Sequence, residues 1–476
     1  MAKHEIFRGK TVCGKDLTEP MSKSLRVAVV GAGPAGMYAI EHLLNESSLD
    51  TKIDLYERLP TPWGLVRYGV APDHPEKKRV IDRTFKFYLA HPAVRFIGNV
   101  EVGKDISHSE LSSWYHAVIY AVGAAEDKRL GIPGESLSGS FAARELVAWY
   151  NGHPDYSHLQ FDLSGERAIV VGNGNVALDV ARILTTPTEV LEKTDIADYA
   201  LEALRQSRIR EVVILGRSGC QQAAFHGTEL DELGYCSGVD IVVDQDELPK
   251  AQQLASVGED WKVVRKVLLL ARLASRVTKR KNKRIVFRFL VSPVELVGSN
   301  SVEQVVVAKN QLVPDECGRP ILISRGETHQ LDTGICFRAI GYRSVPLPGL
   351  PFDEHRGVVE NVEGRVSDRG RIVPGTFVTG WVKSGPRGII GTNKQCARET
   401  IFRLLEDARA GALLHPAVGG DRILEEVRRR KADVIEFANW LNIDRAEVAA
   451  GTKLGRSRLK LTSLDAMLTA AGVYSS

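Results

Sequence analysis

Two glycine clusters carry the spacing through which this chain could do chemistry. In Leu25-Arg-Val-Ala-Val-Val-Gly-Ala-Gly-Pro-Ala-Gly36, six mostly apolar, β-branched residues lead into Gly31, Gly33 and Gly36. G-x-G-x-x-G has a physical reading: the first glycine makes a tight turn and the second admits a pyrophosphate to the backbone. The third lets the next helix pack close on the strand. A helix expected from Met37 to about Asn45 would point its free N–H groups and positive dipole end at an anion. A second strand, Lys52-Ile-Asp-Leu-Tyr-Glu57, ends in an acid placed to bind a ribose hydroxyl. Strand, glycines, helix and Glu57 together read as a dinucleotide site, for FAD or NAD.

The pattern recurs. Arg167-Ala-Ile-Val-Val171 is a strand, and Gly172-Asn-Gly-Asn-Val-Ala177 is the phosphate turn, with Ala177 in the place of a third glycine. A helix is expected from about Val176 to Leu184. The next strand, Glu211–Leu215, ends in Gly216-Arg217 and not in an acid. An arginine suits a 2′-phosphate, which an acid would repel. The second site therefore reads as NADP.

The remaining elements must position these sites. Residues 58–75 form a long loop punctuated by proline and glycine, and a long ordered loop is usually functional. A helix is expected over Lys77–Leu89, with short strands near Val94–Phe96 and Val100–Val102. Tyr115–Ala124 reads as a buried strand ending in glycine, and Gly131-Ile-Pro-Gly134 leads toward a second domain. A long helical insertion is expected over about residues 188–207, and strands around Arg284–Leu290 and Val302–Ala308. Thr333–Gly341 and Tyr342–Pro346 read as the return crossing. Gly375–Trp381 is a further strand. Gly385–Thr392 then leads into a helix, Asn393 to about Leu405, whose N-terminus would face a ligand such as a flavin ring. Residues 414–476 read as a helical covering.

A chain of 476 residues is long enough for two or three domains, and its composition is that of a soluble globular protein. Its net charge of +4 is unevenly spread: Lys262 to Arg288 holds eleven Lys and Arg and no Asp or Glu. Lys279, Arg280, Lys281, Lys283 and Arg284 are its most crowded part. A basic patch on an otherwise acidic chain suggests an acidic partner. None of the six cysteines forms C-x-x-C, which argues against a dithiol redox centre and a cysteine-ligated cluster or zinc. Scattered cysteines fit a reducing cytoplasm, the expected location. No apolar run approaches a membrane span. The first 24 residues lack an apolar signal core and include Glu5, Asp16 and Glu19, so a disordered extension is expected there.

Several stretches together resemble the adrenodoxin reductase-like family of ferredoxin–NADP reductases, particularly its bacterial members. They are Pro60-Thr-Pro-Trp-Gly-Leu-Val-Arg67, Gly69-Val-Ala-Pro-Asp-His-Pro75, Gly172-Asn-Gly-Asn-Val-Ala-Leu-Asp-Val-Ala-Arg182 and Gly388-Ile-Ile-Gly-Thr-Asn393. The resemblance runs from about residue 25 to the end. It implies an α/β fold with two Rossmann-like dinucleotide-binding domains, like glutathione reductase. An FAD domain (25–128 and 346–476) would carry an inserted NADP domain (129–345). It also implies electron transfer from NADPH through FAD to an acidic iron–sulfur ferredoxin. No resident metal, nucleic acid or membrane is implied, and a monomer is expected.

Position by position, the resemblance implies that Ala35, Glu57, Leu65, Val102, Trp381, Gly388, Ile389 and Ile390 contact FAD. Asn173, Gly174, Asn175, Val176, Arg217 and Glu229 would line the NADPH site, with Gly388 against the nicotinamide. His74 and Asp179 match a His–carboxylate pair near the flavin. One departure matters: Ser218 stands where the family usually has a second arginine. A lost charge-assisted contact is worth about 1.5–3 kcal/mol, enough to relax the preference for NADPH roughly tenfold to a hundredfold. Ser218 can still donate to a phosphate, so NADPH is the expected donor and NADH stays open. A thioredoxin-reductase type of enzyme would need C-x-x-C, and an electron-feeding subunit like that of glutamate synthase would carry a cysteine-rich segment. Neither is present.

Overall fold

Successive residues of β1 (Leu25–Val30) enter different cores. Val27 and Val29 pack on one face, and Ala28 and Val30 on the other. A strand covered on both faces reads as a continuous apolar run, which is what the sequence has here. The computed structural model describes residues 24–47, 49–236, 238–249, 260–276, 283–317, 319–388 and 390–474. The extension expected over 1–24 lies outside these, apart from Ser24.

α1 (Pro34–Leu44) follows β1 and leads to β2 (Thr51–Glu57), β3 (Val94–Gly98) and β4 (Ala117–Tyr120). β1 pairs in parallel with β2 and β4, and β2 with β3. The chain then builds β5 (Ser140–Ala142), β6 (Arg167–Val171), α2 (Asn175–Thr185), β7 (Glu211–Gly216), α3 (Gly227–Leu233) and β8 (Val239–Val243). α4 (Trp261–Ala274) and β9 (Lys283–Phe289) come next. An antiparallel sheet of β10 (Val291–Val297), β11 (Gln304–Pro314) and β12 (Pro320–Asp332) precedes β13 (Ile335–Arg338). The parallel second sheet has the order β5-β13-β6-β7-β9-β8.

The chain returns through β14 (Asn361–Val362), β15 (Arg365–Asp368) and β16 (Arg371–Val378), giving a first sheet β14-β15-β16-β4-β1-β2-β3. α5 (Ile390–Arg409) and α6 (Phe437–Lys453) follow. The first sheet thus draws on both ends of the described chain and the second on its middle. Where the chain crosses out and back, Glu126–Asp127 pairs antiparallel with Tyr342–Arg343.

Some elements differ from expectation. The helix expected over Lys77–Leu89 is broken into Pro75–Lys78, a π-turn at Ile81–Phe85 and Lys86–Leu89. Ile81, Phe85 and Leu89 recur every four residues, a spacing that drifts about 40° per step in an α-helix. A wider turn absorbs the drift and puts Phe85 in the core against Trp63, ring centroids 6.0 Å apart. The expected strand at Val100–Val102 is only a bridge between Val102 and Ile106, because Asn99 and Gly103 turn the chain at positive φ. The insertion at 188–207 is two short helices, Thr188–Leu191 and Asp198–Arg205.

The 58–75 loop is held from beneath. Trp63 is buried against Phe85 and against Trp440 of α6. Arg67, 3% exposed at its side chain, pairs through both terminal nitrogens with Glu447 of α6, whose side chain is 0% exposed. Glu447 also accepts from Arg458 Nη1 at 3.0 Å and from the Leu461 N–H at 2.9 Å. Breaking one side of a buried pair strands the other charge, which costs about 3–5 kcal/mol. Glu447→Gln should therefore lower the unfolding free energy measured in urea by about 3–5 kcal/mol, and the midpoint with it. An unchanged midpoint would show that the pair does not hold the loop.

Candidate functional site

At the first glycine turn, the Ala32 N–H donates to Glu57 Oε2 at 2.9 Å, and the Leu59 N–H donates to Oε1 at 3.1 Å. The carboxylate ending β2 is thereby fixed against the loop after β1. Burial raises the Glu57 carboxyl, and these two backbone donors oppose the rise. Gly36 and Gly33 differ in kind. A Cβ on Gly36 would lie 2.0 Å from the Gly31 carbonyl oxygen, so helix and strand meet there without room for a side chain. A Cβ on Gly33 would meet nothing nearer than Gly64 Cα at 4.0 Å, and its φ of −77° suits any residue.

The 58–75 loop closes over this turn: the Trp63 N–H donates to the Ala32 carbonyl at 2.9 Å. Leu65, 39% exposed, follows Gly64, so the loop carries it beside Gly33. From the other side, a Cβ on Gly380 would come within 2.6 Å of Ala35 Cβ and 3.2 Å of Asn393 Oδ1. The starts of α1 and α5 therefore converge on Gly380. Trp381 stacks on Tyr342 with centroids 5.4 Å apart, and its Nε1 is a buried donor with no hydrogen-bond partner among the described residues. Such a donor fits a ligand acceptor. Val102 is half-buried in the turn beyond Glu57, Ile390 opens α5, and Gly388 is exposed just before it. Ile389 lies outside the described residues.

The second turn repeats the arrangement. A Cβ on Gly172 would lie 2.3 Å from the Ala339 carbonyl oxygen, whereas one on Gly174 would meet nothing within 4 Å. The Asn173 carbonyl accepts from the Phe225 N–H at 3.0 Å. The Asn175 side chain is clasped by His226, which donates its backbone N–H to Oδ1 at 2.9 Å and places Nδ1 3.0 Å from Nδ2. Val176 is half-buried one residue on, and Ala177 is fully buried in place of a third glycine. Arg217 is exposed at the end of β7 and has no ion-pair partner among the described residues; Ser218 is half-buried beside it. Glu229, in the first turn of α3, keeps one buried carboxylate oxygen without a hydrogen-bond partner among the described residues. Lys77 Nζ lies 3.7 Å from its other oxygen, and the His226 ring lies 3.7 Å from the unpartnered one.

His74 and Asp179 face this seam but do not pair, contrary to expectation. His74 Nε2 lies 3.0 Å from Glu232 Oε2, and Asp179 accepts from Arg182 Nη2 at 2.7 Å. Arg182, 3% exposed, stands between them and also binds Asp73 through Nε at 2.7 Å and Nη2 at 3.1 Å. A buried guanidinium draws in the nearest carboxylates, so the imidazole turns to another acid. Burial pushes His74 down to about 4, Arg182 adds to the fall, and Asp73 opposes it. Burial raises the Asp179 carboxyl despite Arg182, while Arg182 holds Asp73 below its ordinary value against burial. Asp73, Lys77, Arg182, His226 and Glu232 escaped the sequence reading as site residues. Arg182 carried one signal, lying three residues after Asp179 on one helix face.

The basic run is partly used by the fold. Lys283 Nζ donates to the Leu184 carbonyl at 3.1 Å, and Arg284 pairs with Glu211 at 2.7 Å. Lys266 Nζ donates to the Ala223 and Gln221 carbonyls at 2.6 and 3.2 Å. Lys279, Arg280 and Lys281 lie outside the described residues. Lys262 and Arg265 stay exposed on α4, beside a cavity of about 1030 Å³ between α3 and α4. Among the described residues no helix is long and apolar enough to cross a membrane.

A family model for pyridine nucleotide-disulphide oxidoreductases matches residues 25–213. The chain is 46% identical over 453 residues to the NADPH-ferredoxin reductase FprA of Mycobacterium tuberculosis, covering 93% of this chain and 98% of that protein. It is 42% identical over 465 residues to the mitochondrial NADPH:adrenodoxin oxidoreductase of Arabidopsis thaliana, covering 94% and 96%. A solved structure of M. tuberculosis FprA in complex with NADPH matches with a TM-score of 0.89 at 45% identity, covering 94% of this chain and 99% of that chain. With two glycine turns of the same build and relatives of this identity along nearly the whole chain, the protein belongs to the adrenodoxin reductase-like family of ferredoxin–NADP reductases.

Proposed function

We propose that the protein is an FAD-dependent reductase that carries electrons from NADPH to a ferredoxin. The observation that carries this reading is the pair of turns in which the second glycine, Gly33 or Gly174, is left open by the protein's own atoms. The names of the relatives, NADPH-ferredoxin reductase and NADPH:adrenodoxin oxidoreductase, support the donor and the class of acceptor. Bound FAD would supply the exchange between a two-electron hydride and single electrons. The chain's own part is positioning and charge. Glu57 holds the adenosine ribose, Gly31 and Gly36 shape the turn, and Gly33 gives the pyrophosphate room. Trp381 offers its buried Nε1, with Ala35, Leu65, Val102, Gly388, Ile389 and Ile390 around the same ligand. Asn173, Gly174, Asn175, Val176 and Glu229 line the NADPH side, Gly388 abuts its nicotinamide, and Arg217 with Ser218 takes the 2′-phosphate. On this reading 129–345 is the NADP domain, inserted between FAD-domain segments 25–128 and 346–476, and the protein works as a cytoplasmic monomer. The purified protein should be yellow, lose its colour anaerobically with NADPH, and reduce a ferredoxin; a colourless preparation that takes up no FAD would sink the proposal.

Gly33 and Gly36 separate binding from folding. Gly33→Val introduces no backbone strain, and its Cβ meets nothing nearer than 4.0 Å, so it should fold with near-native stability yet lose most of its FAD on purification. Gly36→Ala forces a methyl onto the Gly31 carbonyl and should destabilise by about 1–3 kcal/mol or more. Flavin content and urea midpoint of both variants check this. A Gly33→Val protein with stoichiometric FAD would show that the pyrophosphate does not pass there.

Arg217 tests donor choice, because NADH lacks the 2′-phosphate. Arg217→Ala should raise KM for NADPH by roughly tenfold to a hundredfold, the worth of a charge-assisted contact, and leave KM for NADH nearly unchanged. Ser218→Arg should move preference further toward NADPH. Equal effects on both donors would remove Arg217 from the site.

The acidic character of the ferredoxin is tested on α4. Exposed charges act over about 8–10 Å at physiological salt and chiefly on encounter rate. Lys262→Gln with Arg265→Gln should weaken ferredoxin-dependent turnover and flatten its salt dependence. Ferricyanide reduction, which needs no docked protein, should be unchanged. Parallel loss of both activities would place these residues in the fold or the NADPH side.

A further inference from the structure

The imidazole of His74 is held at both ring nitrogens. Nδ1 faces Lys77 Nζ at 3.2 Å and Arg182 Nη2 at 3.5 Å. Both are cationic donors with no lone pair to offer. Nδ1 is therefore the acceptor, and the proton sits on Nε2, 3.0 Å from a Glu232 carboxylate oxygen. A second proton, on Nδ1, would point into two cations.

Of those two cations, Arg182 is the fixed one. It is 3% exposed, against 31% for Lys77, and three hydrogen bonds to Asp73 and Asp179 set its orientation. Asp73 precedes His74 on the loop that closes over the first cradle, whereas Asp179 and Arg182 lie on the helix that leaves the second. One guanidinium thus ties the covering loop of one cradle to the phosphate-turn helix of the other.

We propose that Arg182 is a positioning residue for hydride transfer: it locks the Asp73–His74 loop onto α2 and selects the neutral, Nε2-protonated tautomer of His74. The proposal rests on the reading of this seam as the place where NADPH meets the flavin, but the tautomer is a property of the protein that can be read without turnover. Other charges face the imidazole, or the groups that hold it, from each neighbouring element. Asp73, Lys77 and Lys78 come from its own segment, Asp179 and Arg182 from α2, and Glu229 and Glu232 from α3. Cys236 beyond α3 and Tyr150 face the Arg182–Asp73 pair, and burial raises both of these groups. Lys78 is itself paired with Asp195 at 2.7 Å. Burial and Arg182 together push His74 down, in keeping with the tautomer that the contacts select. Without Arg182, Lys77 and Lys78 alone would oppose the carboxylates beside the imidazole, and Asp73 would draw a proton onto it more readily.

The test is long-range 1H–15N NMR of the histidine side chains in the flavin-loaded full chain, from pH 8 to pH 5, with His74 assigned from the spectrum of His74→Gln. Wild-type His74 should show the neutral Nε2–H tautomer throughout and should not titrate. In Arg182→Gln it should titrate within this window, its pKa raised by about one unit or more. The rate of flavin reduction by NADPH, followed by stopped flow, should then acquire a dependence on pH over the same range. Arg182→Lys, which keeps the charge, should restore the silent imidazole. If Arg182→Gln does not fold, Asp73→Asn removes the charge and one of the two acceptors that Asp73 offers the guanidinium, and should give mixed His74 tautomers. A wild-type His74 that titrates near 6.5 or carries its proton on Nδ1 overturns the proposal. So does Arg182→Gln, or Asp73→Asn in its place, with His74 unmoved. Failure to bind FAD at all would instead overturn the functional reading, and the same spectra of the flavin-free full chain would still decide the tautomer.

Discussion

Asp195 receives Lys78 Nζ at 2.7 Å and Lys460 Nζ at 3.1 Å, all three side chains largely out of water. They come from the loop region of the first sheet, the body of the second sheet's domain, and the C-terminal segment. A buried charge is tolerated only with its partner in place, so the three segments can be assembled in one relative position. Burial drives the Lys460 ammonium down to about 7 even though Asp195 opposes the fall, and the two lysines hold Asp195 well below the carboxylate range against its own burial. Arg456 of the C-terminal segment with Asp198 at 2.6 Å and Arg58, just after β2, with Asp155 at 2.8 Å extend the same seam. The two cradles keep their relative placement through these pairs, and hydride transfer between two bound ligands depends on that placement.

The parts legible in the sequence share one property: their physics is local. The strand–glycine–helix units at Gly31 and Gly172 could be read because the close approach of Gly36 to Gly31 is decided within six residues. The positions of Glu57 and Arg217 could be read because each lies at the end of the strand after a glycine turn. The apolar run of β1 gave a doubly covered strand because both of its faces are buried. Helix ends shifted by a few residues, as at Pro34–Leu44, where proline at the first helical positions starts the helix earlier than the apolar pattern suggested.

The parts that escaped are non-local. His74 and Asp179 are 105 positions apart, and which carboxylate the imidazole meets was settled by Arg182 and by an α3 acid, Glu232, that no local pattern links to either. The basic run looked like one surface, yet Lys283, Arg284 and Lys266 are turned into a strand end and two carbonyl caps. Charge density along a sequence does not say which charges the fold consumes. The π-turn at Ile81–Phe85 likewise answers to Trp63 and Tyr38, which lie elsewhere in the chain.

Both cradles follow one economy of contact. Their first glycines are closed off by the protein's own backbone, Ala121 behind Gly31 and Ala339 behind Gly172, so those turns cannot relax outward. Their second glycines face space, which would leave a phosphate room to reach the main chain. Glu57 serves the same end, since its two oxygens already hold the Ala32 and Leu59 amides before any ribose arrives. A carboxylate accepts more than one hydrogen bond per oxygen, so gripping the loop does not disable it as a ribose acceptor. The acid that would recognise the ligand is thus also the one that shapes the turn receiving it. Removing it would loosen the loop and the ligand together, whereas Gly33→Val separates the two.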